Sequence, residues 1–203
     1  MGFFERNRAE LARRGIDPAR LPPGQYHTDR FPVLHAGSVP RVDLATWDFT
    51  VDGVVGGRRS WTFDEFLAIG TAEVVADIHC VTKWSKFDTR WEGVPVTAVL
   101  DQALPLPDAT HVLVRAEHGF TANLPLADLA RAGNMFAHRF DGEELEAEHG
   151  WPLRLVVPHL YFWKSVKWVR GLTFLDHDEP GFWERNGYHM YGDPFREQRF
   201  WGD

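Results

Sequence analysis

The one cysteine of this chain, Cys80, stands where an apolar run, Val74–Ile78, gives way to the polar string His79-Cys80-Val81-Thr82-Lys83-Trp84-Ser85. A thiolate is a nucleophile and a soft-metal ligand, and a cation such as Lys83 nearby favours its formation. A lone cysteine is more often a small buried hydrophobe. Its position argues for chemistry, because strand ends are where a rigid scaffold hands side chains to a site. Other familiar chemistry is missing. There is no GxGxxG after a strand, no GxxxxGK[ST], no HExxH and no GxSxG. The ten histidines have no i, i+4 pair, which argues against a zinc hydrolase.

Composition narrows the field further. The chain has 203 residues, 44% of them hydrophobic and 14% aromatic, enough for a substantial core. With 22 basic and 29 acidic residues the net charge is −7, which disfavours nucleic acid and anionic membrane as partners. A single cysteine excludes a disulfide framework and CxxC metal sites. The start, MGFFERNRAELARRGID, has no apolar h-region, and no stretch approaches the ~18 apolar residues of a membrane span. A cytoplasmic protein is expected.

The elements that must position Cys80 follow from pattern. Residues 3–14 have helical spacing that Gly15 ends, and 17–40 carry five prolines, which suit an extended segment wrapped on the body. Trp47, Phe49 and Val51 alternate as a strand, with Asp52-Gly53 expected as a hairpin turn. Thr62 and Glu65 form a capping box for a short helix ending near Gly70, and Pro95 opens another through Leu104. Val74–Ile78 reads as a buried strand, and His111–Ala116, Leu153–Val157 and Val166–Phe174 read as further strands. Thr121–Leu124 is extended before a short helix to about Arg131, and the acidic run Asp141–Glu148 reads as a solvated loop or helix face. From Gly150 to Leu175 there is no carboxylate, but there are Arg154, Lys164, Lys167 and Arg170. No βαβ rhythm emerges, so the class is α+β with strands dominant.

Taken in order, HCVTKWS, WEGVP, HGWPLRLVVP, KSVKWV, GFWERNGYH and DPFREQR resemble the sulfite oxidase superfamily of molybdopterin enzymes. The likeness is greatest to the small prokaryotic members related to the methionine-sulfoxide-reductase catalytic subunit, and it spans about Gln25 to Phe200. It implies a mixed-sheet molybdopterin-binding core as one domain over residues 25–203, after an N-terminal helix and Pro-rich lead-in over 1–24. It implies that Cys80 supplies a thiolate to molybdenum and that Tyr188, five residues after Trp183, lies beside substrate. By the same likeness His149, Arg154, Ser165, Val166 and Lys167 hold the pterin, Arg154 by forking onto phosphate oxygens. The acid-free stretch would then answer an anionic cofactor. In FPVLHAGSVP, His35 falls at or beside a cofactor contact.

Two departures bear on function. An arginine that binds sulfite in true sulfite oxidases stands here as Leu34, and a cofactor-contacting threonine of the sulfoxide-reductase relatives as Ala116. No haem domain or immunoglobulin-like dimerisation domain is found in the sequence, so a monomer is expected. The expected function is oxygen-atom transfer on a small sulfur compound, a sulfoxide or other S- or N-oxide rather than sulfite, with a separate electron donor or acceptor protein. The alternative is a pterin-binding protein without turnover.

Overall fold

The computed structural model describes residues 2–203. Along the chain it runs α1 (Phe3–Arg13), β1 (Tyr26–His27), β2 (Asp48–Gly53), β3 (Arg59–Thr62), α2 (Phe63–Leu67), β4 (Ala72–His79), β5 (Trp84–Pro95) and α3 (Val96–Ala103). It continues with β6 (His111–Ala116), β7 (Thr121–Pro125), α4 (Leu126–Leu129), β8 (Met135–Phe140), β9 (Glu143–Glu144), β10 (Arg154–Val156), β11 (Val169–Leu175) and α5 (Phe182–Arg185). Two sheets result. One has the order β1-β5-β8-β10, with β4 paired to β5 and β9 to β8; the other is β3-β2-β11-β6-β7. Both are mixed, because β1 runs parallel to β5 and β2 parallel to β11 while other pairs are antiparallel. This is the mixed-sheet α+β core that the motifs imply.

The sheets are joined by aromatic packing. Phe136 of β8 meets Phe49 of β2 edge-on at 5.2 Å and Phe66 of α2 at 5.6 Å, and all three rings are fully buried. Phe136→Ala would open a void between the sheets and is expected to cost about 3–5 kcal/mol. Chemical denaturation checks it, since a loss below about 1 kcal/mol would show that the sheets do not depend on this contact.

Local signals explain several boundaries. Thr62 Oγ1 accepts from the Glu65 amide and Glu65 returns the bond to the Thr62 amide, so α2 begins at its capping box. Pro95 precedes the first turn of α3, and Leu104 ends it in a left-handed conformation. The Asp52-Gly53 hairpin does not form. Asp52 is held inside the sheet by Thr173 Oγ1 at 2.7 Å and Arg115 at 3.0 Å, so β2 continues to Gly53 and the chain returns only at Arg59. Val74–Ile78 belongs to an edge strand with Val75 well exposed, and is not a buried run. Val166 and Trp168 precede β11 in a turn, where Trp168 takes φ +54°. The acidic run is exposed apart from Leu145, and its Glu143-Glu144 pair forms the short β9.

Candidate active site

Cys80 lies at the apex of the β4–β5 hairpin. Its amide donates to Trp84 O at 2.8 Å, and the Lys83 amide, at φ +80°, donates to Cys80 O at 2.9 Å. The turn therefore fixes the thiol at the end of two paired strands. Sγ accepts from Thr82 Oγ1 at 3.1 Å. Burial pushes the thiol's pKa up, opposed by the Thr82 bonds and by the charges of Arg199 and Lys167. Lys83 is not the charge partner expected from its nearness in sequence. Its side chain is exposed and its ammonium lies 5.8 Å over the Phe4 ring.

Cys80 opens onto a cavity of about 530 Å³, within the size range of small-ligand sites. His35, His149, Arg154, Ser165, Val166, Lys167 and Tyr188 all line it, as does Leu34. Thus the strands and loops gather every residue assigned by motif to cofactor or substrate, although they come from five separate motifs. Ala116 is buried at the end of β6 beside Glu117, and of the two Glu117 is the one that lines the cavity.

The basic wall is built for an anion. Arg154, 1% exposed, donates from Nη1 to His149 O at 2.7 Å and from Nη2 to Ser165 O at 2.9 Å. Its Nε has no partner, and the guanidinium stacks 4.3 Å from the Phe162 ring. Burial alone pulls its pKa down to about 9. The family likeness implies two parallel bonds from this fork to phosphate oxygens. In the structure two of its N–H groups tie the loops together, and the others remain available. Lys167 stands in the same wall, with Nζ donating to Glu148 O at 2.7 Å. Burial, and then the Arg154 charge, bring its pKa down to about 7. Two desolvated cations side by side are unfavourable unless an anion joins them. The amides of Val166 and Lys167 have no backbone acceptor among the described residues, whereas the Ser165 amide is spent on Phe162 O. Ser165 Oγ accepts from the Val157 amide, so this hydroxyl serves the fold. Gly150 lets the wall close: a Cβ there would come within 3.1 Å of Arg154 Cβ and 3.2 Å of Lys167 Cβ. These features fit a phosphate-bearing cofactor.

The other basic residues of the acid-free stretch do not face the cavity. Lys164 is fully buried and paired with Glu184 at 2.6 Å, and Arg170 is bonded to Asp48 and Glu117. His149 stacks on Phe31 at 4.1 Å, with Nδ1 3.0 Å from Glu146 Oε2 and Nε2 3.3 Å from Phe31 O. His35 is exposed at the rim, donating from Nδ1 to Gly37 O at 2.9 Å, with its ring edge-on to Trp168.

Tyr188 is held by aromatics. It stacks on Trp183 at 4.9 Å and meets Trp163 and Phe200 edge-on at 5.0 and 5.5 Å. Burial raises the hydroxyl's pKa, and the charge of Cys80 raises it further, which reports their proximity. Trp163 is fixed in turn by donating from Nε1 to Glu184 Oε1 at 2.8 Å. Sequence reasoning missed Phe31, Trp84, Trp163, Trp168 and Phe182 as cavity residues, because an aromatic in a loop carries no signal that distinguishes lining from core. Among the described residues no cluster of three or more His, Cys, Asp or Glu is placed to hold a metal.

Residues 36–183 match the family model of the oxidoreductase molybdopterin binding domain, and the chain belongs to that family. It is a molybdopterin-dependent oxidoreductase of the sulfite oxidase type. The chain is similar to the uncharacterised oxidoreductase YuiH of Bacillus subtilis (strain 168), 46% identical over 192 residues, covering 94% of this chain and 97% of the relative. It is also similar to the protein-methionine-sulfoxide reductase catalytic subunit MsrP of Gluconobacter oxydans (strain 621H), 31% identical over 164 residues. That match covers 72% of this chain and 52% of the relative, so the chain spans about half of that subunit. Among solved structures, the sulfane dehydrogenase SoxCD of Paracoccus pantotrophus matches with a TM-score of 0.66 at 22% identity, over 75% of this chain and 43% of that one. The likeness to SoxCD shows a shared fold. Among the described residues no helix is long and apolar enough to cross a membrane.

Proposed function

We propose that this oxidoreductase reduces small, neutral S-oxides or N-oxides, with electrons delivered by a separate donor protein. Its overall reaction is R₂S=O + 2H⁺ + 2e⁻ → R₂S + H₂O. The observation that carries the reading is the make-up of the cavity lining. Leu34, Phe120, Phe182 and Trp183 contribute apolar surface, and among the described residues the cavity's only lysine and arginine are Lys167 and Arg154, in the anion-binding wall. A sulfite anion would lose hydration there without gaining a dedicated cation, at a cost of several kcal/mol. A neutral sulfoxide needs an apolar wall and one hydrogen-bond donor. The name of the Gluconobacter relative, a sulfoxide reductase, agrees with that class.

Bound molybdopterin would supply the two-electron couple and the oxygen-atom transfer. The chain's own residues set the conditions for it. In this reading Cys80 is the protein thiolate ligand, held by its hairpin turn. Arg154, Lys167 and the amides of Val166 and Lys167 hold the phosphate, while His149 and His35 border the pterin. Tyr188, stacked on Trp183, lines the cavity, where its hydroxyl would donate a hydrogen bond to the substrate oxygen.

Steady-state assays in both directions on molybdenum-replete protein test the reading. Reduction of a neutral S-oxide by an artificial donor is expected to exceed sulfite oxidation in kcat/KM by at least about a hundredfold, roughly 2.7 kcal/mol. Sulfite turnover with a micromolar KM would overturn it.

A further inference from the structure

We infer that Arg199 is a positioning residue for Cys80, placing a buried positive charge behind the thiol and fixing the loop that carries it. The inference rests on the reading of Cys80 as the metal ligand. Arg199 belongs to the DPFREQR segment, lies outside the cavity lining and is 7% exposed. Its Nη1 donates to Val81 O at 2.9 Å and its Nη2 to Pro23 O at 3.2 Å, with the guanidinium 5.0 Å over the Tyr161 ring. The preceding carbonyl, Cys80 O, accepts from the fully buried Gln25 Nε2 at 3.0 Å. Gln25 Oε1 in turn accepts from Ser85 Oγ at 3.5 Å.

Two successive carbonyls at the apex of the hairpin are therefore held from behind. One tether comes from the N-terminal wrap and the other from the tail, some 120 residues beyond Cys80. The nearest carboxylate to the guanidinium is Glu197, 3.7 Å away and half exposed, so it offsets part of the buried charge. A cation fixed close to a metal–thiolate centre stabilises the electron-rich reduced form and raises its midpoint potential, as outer hydrogen bonds and charges do at other metal sites.

The test is an EPR-monitored redox titration of molybdenum-replete holoenzyme. Arg199→Gln removes the charge and keeps a hydrogen-bond donor. It is expected to lower the midpoint potential by about 59 mV, a tenfold change in the one-electron ratio, with molybdenum content retained. Arg199→Lys keeps the charge and is expected to recover most of that shift. An unmoved potential in folded, loaded Arg199→Gln overturns the inference. If that variant does not fold, Glu197→Gln on its exposed side chain carries the test, because loss of the countercharge should raise the potential and no shift there also overturns it. The underlying reading is checked apart, through the thiolate-to-metal absorption band. A band that survives Cys80→Ser defeats the ligand reading. A band that disappears, beside an unmoved potential in Arg199→Gln, defeats the Arg199 inference alone.

Discussion

Cys80→Ser is expected to lower kcat by at least about a thousandfold, equivalent to roughly 4 kcal/mol of barrier, while most of the cofactor stays bound. The separation follows from geometry. The sulfur sits on the β4–β5 hairpin, whereas the cationic wall comes from β10 and the turn before β11. Serine fits the space and can keep the Thr82 bond, so the fold should be undisturbed. What it lacks is a soft, readily ionised donor. Kinetics and elemental analysis on the same preparation decide the matter, and near-normal rates would remove Cys80 from the site.

Arg154→Ala should act in the opposite sense, with molybdenum content falling at least about tenfold and stability falling too. The stability loss is expected to be about 2–5 kcal/mol, since His149 O and Ser165 O are each left without a donor. Lys167→Ala separates the two effects. It removes the neighbouring cation but ties down only the Glu148 carbonyl, so it should lower cofactor occupancy with little change in Tm. Full molybdenum content in Arg154→Ala would count against a phosphate role for this wall.

Much of the site was legible because its residues sit in short strings of unusual composition. Cys80 and the acid-free stretch stand out from residue types alone, whereas Tyr188 was singled out only through the likeness of GFWERNGYH to the family. Of the four cations in that stretch only Arg154 and Lys167 were assigned to the cofactor, and a sequence does not reveal that Lys164 spends its charge on Glu184 or Arg170 on Asp48. The longest strand was missed altogether. In β5 the inward positions are Ser85, Phe87, Thr89, Trp91 and Gly93, where Ser85, Thr89 and Gly93 interrupt the hydrophobic alternation that Phe87 and Trp91 would give. The period shows instead in its outward charges, Lys86, Asp88, Arg90 and Glu92. Pairing on both sides, with β4 and β8, supplies the stability that the inward side chains do not advertise. Arg199 was quoted only as part of a motif, because its partners, Pro23 and Val81, lie more than a hundred residues away along the chain.

Four of the cavity-lining side chains, Trp84, Trp163, Trp168 and Trp183, are indoles. Loading of the cavity should therefore be visible by light emission alone. A conjugated pterin–dithiolene absorbs in the near ultraviolet, where tryptophan emits, and at contact distance it would accept excitation from all four. The empty protein should fluoresce brightly and dim as it fills, so the fraction loaded can be followed in real time without a substrate or an electron donor.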